Sequence, residues 1–145
     1  MKETDLYRLI KRGLPQVHWQ RIETGRTGSG IPDLNGCYSG VEAWAELKVH
    51  PSKLSSLQRN WLNARAKAGG NVWVVIGYPK LRGMIEFLRP EPLPGGLRLA
   101  MAVQKPYDWS LVLMTMFDCG AMTDKAATAN LEKSHGLKFI ERGTE

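Results

Sequence analysis

Short apolar runs alternate with glycine- and proline-marked breaks along the chain, and the breaks delimit the elements. Leu6, Leu9 and Ile10 fall on one face at helical spacing, which predicts a helix over residues 3–12 that Gly13 and Pro15 end. Val17 to Glu23 reads as a strand, followed by the flexible loop TGRTGSG. Ile31 to Tyr38 and Val41 to Val49 read as two strands of a tight hairpin turning at Ser39-Gly40. Leu54 to Ala68 reads as a helix, with Leu54, Leu57, Trp61, Ala64 and Ala68 as its apolar stripe and Gly69-Gly70 as its stop. Val72 to Gly77 is almost continuously apolar, the pattern of a strand buried on both faces, and Gly83 to Leu88 fits a further strand. The helix before Val72 allows a right-handed crossover, which sets the Val72 strand parallel to the Val41 strand.

The segment RPEPLPGG, residues 89–96, is the best boundary. Beyond it Trp109 to Phe117 is apolar and open to either helix or strand, and Thr123 to His135 reads as a helix with Thr123 as N-cap. The expected fold class is α/β, with a mixed central sheet in the order α-β-β-β-α-β-β plus a C-terminal extension. Residues 1–145 then form one domain, with a core of about 3–88 and an extension of about 97–145 that could serve dimerisation or DNA contact.

Composition narrows the partners. A chain of 145 residues with 43% hydrophobic and 23% charged residues can bury a core, which excludes wholesale disorder. Twenty Lys+Arg against 14 Asp+Glu give +6, which favours a polyanionic partner, nucleic acid first. Residues 1–70 carry a balance of +5 and residues 71–145 only +1, so the partner-facing surface is expected in the first half. Cys37 and Cys119 make neither a disulfide framework nor a zinc cluster and suit a reducing compartment. With no signal-peptide shape and no apolar window of membrane length, the expected location is cytoplasmic.

The hairpin register locates the chemistry. A turn at Ser39-Gly40 sets Leu34 against Ala45 and Asp33 against Glu46, with Lys48 on the same face as Glu46. Leu34, Ala45 and Leu47 point the other way, into the core. Two adjacent carboxylates repel unless a cation neutralises them, and hard oxygen donors suit Mg²⁺ or Mn²⁺. A lysine beside them can hold a water or a phosphate oxygen, which makes the set suited to phosphodiester hydrolysis. The glycine-rich loop before Asp33 would let a nucleic-acid backbone approach closely.

Pro32-Asp33 followed across a hairpin by Glu46-x-Lys48 resembles the motif of the PD-(D/E)XK nuclease superfamily, the restriction-endonuclease-like fold. Arg21-Ile22-Glu23, Gly30 to Leu34, Trp44 to Lys48, Leu54 to Gln58 and Trp61-Leu62 are similar to its small stand-alone VRR-NUC and phage endonuclease branch. The resemblance covers residues 3–88. It implies Asp33 and Glu46 as ligands of Mg²⁺ or Mn²⁺, with the Leu47 carbonyl as a third. It also implies Lys48 as the group that positions water and stabilises the transition state, and Gln58 as an accessory polar residue. An upstream glutamate completes the implied set, Glu23 being preferred to Glu3. The implied activity is a DNA endonuclease acting on branched DNA such as a four-way (Holliday) junction, as a homodimer, in the host cytoplasm if phage-encoded.

Other readings stand beside these. Ser55-x-x-Gln58 is also a capping box, and Glu23 could pair with Arg21 or Arg26. Arg26, Lys53 and Arg59 are candidate phosphate contacts or merely a wet surface. His50 reads as a solvated strand end, and the five tryptophans as core, with Trp44 set apart because its parity matches Glu46. Flap, nicking or single-strand cleavage, a non-catalytic DNA-binding role, and a basic packaging role are the rival functions.

Overall fold

A computed structural model describes residues 1–22, 30–91 and 96–118. Helix α1 (Glu3–Gly13) opens the chain, with Glu3 and Asp5 in its first turn and Lys11 and Arg12 in its last, each matched to the helix dipole. Leu6 and Ile10 are its buried residues. Strands β1 (His18–Arg21), β2 (Leu34–Tyr38) and β3 (Val41–Val49) form an antiparallel meander. Ser39 and Gly40 have φ of 51° and 79°, the left-handed pair that a two-residue hairpin matched to strand twist requires. The register is the expected one, Tyr38 on Val41, Cys37 on Glu42 and Leu34 on Ala45.

Helix α2 (Ser56–Lys67) carries the chain over to β4 (Val72–Tyr78), which pairs parallel to β3. The helix closes where the Gly69 and Gly70 amides donate back to the Ala66 and Arg65 carbonyls. Strand β5 (Met84–Pro90) returns antiparallel, and β6 (Leu97–Val103) pairs with β5. The six strands lie in chain order in one sheet. Helix α3 (Trp109–Met116) follows, capped by Asp108, whose carboxylate accepts from the Leu111 amide at 3.1 Å.

The main core lies on one face of the sheet. Leu6, Ile10 and Leu14 pack there on Leu34, Ala43, Ala45, Leu47, Trp73, Val75 and Phe87, with Val112, Met116 and Phe117. A smaller cluster, Leu62 with Val72 and Val74, lies under α2 on the other face.

Three expectations change. Of the expected α2 stripe, Leu54 and Trp61 are partly buried, whereas Leu57, Ala64 and Ala68 are exposed; Leu62 is the buried residue, with Ala66 partly so. The helix is rotated because a polar residue, Gln58, has a buried partner to reach. Residues 97–117 are not a peripheral extension beyond a core ending near 88. They supply the sixth strand and part of the main core, tied in by Asn71, whose amide donates to the Met116 carbonyl at 2.7 Å. Gly30 has φ of 75°, and a Cβ there would collide with the Leu57 carbonyl, so this glycine admits the first turn of α2. The helix predicted over Thr123–His135, and Cys119, lie outside the described residues.

Candidate active site

Strand β3 alternates strictly. Its odd residues Ala43, Ala45 and Leu47 enter the main core, which puts its even residues on the α2 side. Glu46 and Lys48, 1% and 9% exposed, are the buried charged residues among those described. Strand β2 begins one residue after Asp33, so the ladder brings Asp33 beside Glu46. Asp33 is fixed at both ends: its carboxylate accepts from the Leu47 amide at 3.0 Å, and its backbone carbonyl accepts from the Ile22 amide at 2.7 Å.

Helix α2 contributes Gln58 through both ends of its side-chain amide. Its Nε2 donates to Glu46 Oε1 at 2.7 Å, while its Oε1 accepts from the Ser55 amide at 2.9 Å. The Ser55 hydroxyl in turn accepts from the Gln58 amide at 3.2 Å. One Gln58 side chain therefore completes the capping box and also contacts Glu46. The cap fixes the rotamer that reaches Glu46.

Lys48 Nζ lies 3.5 Å from Glu46 Oε1 and 3.9 Å from Glu3 Oε1. Glu3 comes from the first turn of α1, so this helix and β3 meet at the lysine. Glu46 Oε1 thus has two partners, whereas Oε2 is buried with none among the described residues. Burial, then the charge of Asp33, pushes the Glu46 carboxyl up to about 8 against the pull of Lys48. A buried carboxylate with an unmatched oxygen beside a second carboxylate is costly unless a cation completes it.

The donors fit a hard divalent ion. Asp33 and Glu46 offer carboxylate oxygens, and the Leu47 carbonyl is the third donor that the motif resemblance implies. Among the described residues no three His, Cys, Asp or Glu side chains gather into a ready-made metal cage. Such an ion would keep much of its water shell, as Mg²⁺ commonly does.

The remaining candidates are placed as follows. Glu23 and Arg26 lie outside the described residues. Lys53 and Arg59 are exposed, and Arg59 lines a shallow hollow with Leu54, Leu62, Asn63, Pro90 and Leu97, on the β5–β6 side of α2. Trp44 packs at 5.4 Å on Trp61, with the Arg65 guanidinium 4.7 Å from the Trp61 ring. Glu3, the second choice on sequence, stands beside Lys48. Only the docking of α1 on the sheet reveals it, because nothing in local spacing links residue 3 to residue 48.

The antiparallel meander, the α2 crossover and the parallel β3–β4 pair make a mixed α/β sheet with the expected element order through β5. No family model matches the chain, and no curated protein matches it. Among solved structures it is similar to Hjc of Archaeoglobus fulgidus, a Holliday junction resolvase from an archaeal hyperthermophile. That similarity is 15% identity and a TM-score of 0.46, over 72% of this chain and 85% of that one. No helix among the described residues is long and apolar enough to cross a membrane.

Proposed function

We propose that this chain is a divalent-metal-dependent DNA endonuclease that hydrolyses phosphodiester bonds, selects branched DNA of the four-way-junction type, and works as a homodimer. One observation carries the reading. Glu46 is buried beside Asp33 with one oxygen unmatched, in direct contact with Lys48 and Gln58. A structural ion pair would satisfy both carboxylate oxygens, and an apolar residue of similar volume would serve stability at least as well.

In this reading Asp33 and Glu46, with the Leu47 carbonyl, hold Mg²⁺ or Mn²⁺. A bound ion of this kind lowers the pKa of its water and offsets charge building on the phosphate. Lys48 orients the attacking water and donates to the phosphate oxygens as their charge grows. Gln58 holds Glu46 in its rotamer, and Glu3 steadies Lys48 from the far side. The net charge of +6 draws the polyanion in. The preference for branched DNA rests on the motif resemblance. A two-fold dimer would offer two nicking sites to a symmetric junction.

The test is a cleavage panel in Mg²⁺ and in Mn²⁺: four-way junction, flap, splayed duplex, plain duplex and single strand. Paired nicks on the junction, abolished by EDTA, by Asp33→Asn and by Lys48→Ala, are the expected result. Cleavage of another substrate with the same dependence keeps the site and changes the specificity. DNA binding without cleavage of any substrate overturns the enzymatic reading. Sedimentation that gives only monomer, with and without DNA, removes the dimer.

A further inference from the structure

Past Lys48, the α2 side of the sheet ends in a cluster that the cleavage chemistry does not use. His50 is the next residue of the same parity, about 6.8 Å along the chain from Lys48. Its amide donates to the Gly77 carbonyl at 2.9 Å, which continues the β3–β4 ladder and fixes its direction. The imidazole lies on the Tyr78 ring, with centroids 5.0 Å apart and planes at 27°. The register sets Tyr78 diagonal to Glu86 of β5, and the phenol donates to that carboxylate, which pushes Tyr78 up to about 12. Tyr78 and Glu86 are half-buried, whereas His50 is exposed. The stack is therefore anchored from below and open above.

Four exposed cations share this end of the sheet. Lys53 follows β3, Lys80 and Arg82 lie in the turn between β4 and β5, and Lys105 follows β6 and lies against Gly83. An anchored ring with an exposed face, bordered by cations, is the chemistry that binds unpaired nucleotides. The base stacks on the ring, and its phosphates meet the charges. A base inside a duplex is already stacked on both faces and gains nothing there.

The geometry points to a base-stacking platform: the imidazole of His50, backed by Tyr78, receives an unpaired nucleobase next to the scissile phosphate, with the flanking phosphates toward Lys80, Arg82 and Lys105. This rests on the nuclease reading for the position of the scissile phosphate, and it narrows the substrate to branched DNA with unpaired nucleotides at the branch. His50 acts as a ring and not as a charge.

The test is equilibrium binding, which is read apart from cleavage. The Asp33→Asn protein, in chelator, is titrated against a fully paired four-way junction and the same junction with two unpaired nucleotides at the branch. One of the unpaired nucleotides is 2-aminopurine. The expected result is tighter binding of the unpaired form with quenching of the probe. Adding His50→Ala should weaken that form about tenfold and abolish the quench, leaving the paired junction unchanged. His50→Phe should retain both. Equal affinity for the two junctions, no binding to either, or a His50→Phe protein as weak as His50→Ala overturns the platform. The wild-type cleavage panel is scored separately. Stacking without cleavage upholds the platform and overturns the nuclease reading, and cleavage without His50-dependent stacking does the reverse.

Discussion

The two faces of β3 are made from one nine-residue strand and follow opposite rules. On one face Ala43, Ala45 and Leu47 are small or aliphatic, buried, and packed against α1 and β4. On the other, Glu46 and Lys48 are buried almost as deeply, yet they are charged and one oxygen of Glu46 is unmatched. Burial at equal depth with opposite chemistry separates two kinds of selection. The first face lowers the free energy of the fold, each fully buried aliphatic side chain contributing about 1.5–3 kcal/mol. The second raises it, and a fold retains such a face where a ligand or a reaction uses it.

Neighbouring substitutions sharpen the contrast. Asp33→Asn and Lys48→Ala should lower cleavage by about 10²–10⁴-fold, measured as single-turnover rate, with little change in thermal unfolding. Equal loss of stability in both variants would make the polar face structural and break the contrast. Leu47→Ala, one residue from each of the charged pair, should behave in reverse. It should lower stability by about 2–5 kcal/mol in urea, with cleavage per folded molecule largely retained at low temperature.

Next in size is a pH effect confined to the polar face. The Glu46 carboxyl sits at about 8 in the folded protein against 4.5 for the free group. Between these values the folded state holds a proton that the unfolded chain has released. This contribution is fully present below about 4.5 and is lost as pH rises through about 8, on the order of a few kcal/mol. Denaturation in chelator from pH 5 to 9 should therefore show falling stability in the wild type and a flatter profile in Glu46→Gln. Added Mg²⁺ should recover stability at pH 8 in the wild type only. A flat wild-type profile would mean that Glu46 titrates as an ordinary carboxyl.

The smallest effect separates the two duties of Gln58. Ser55→Ala removes the acceptor for the Gln58 amide and should cost about 1 kcal/mol of stability, with cleavage intact. Gln58→Glu keeps an oxygen for the Ser55 amide but sets a carboxylate against Glu46, and should depress cleavage far more than stability. If the two variants lose cleavage alike, the cap and the site contact are not separable.

Much of the site was legible because the hairpin is a local device. A two-residue turn and a period of two determine which residues face each other, so Asp33, Glu46 and Lys48 follow from counting outward from Ser39-Gly40. Helix rotation was less legible. The expected stripe shares Leu54 and Trp61 with the buried side, but spacing alone does not choose Leu62 over Leu57 and Ala64. The choice between them rests on Gln58 finding Glu46, a contact 12 positions away. The proline- and glycine-rich stretch at 89–96 reads as a boundary, but Leu97–Val103 returns to the sheet beside β5.

The sequence by itself determined the elements of the first 88 residues, the hairpin register and the parity of β3, because each depends on turn geometry and on periodicity within a few residues. The tertiary structure alone decided that Glu3 stands at Lys48, that Tyr78 and Glu86 back His50, and that residues 97–117 complete the sheet and core. These contacts join residues 8 to 45 or more positions apart. Their partners are chosen by which faces dock when the core closes, and no local pattern encodes that choice.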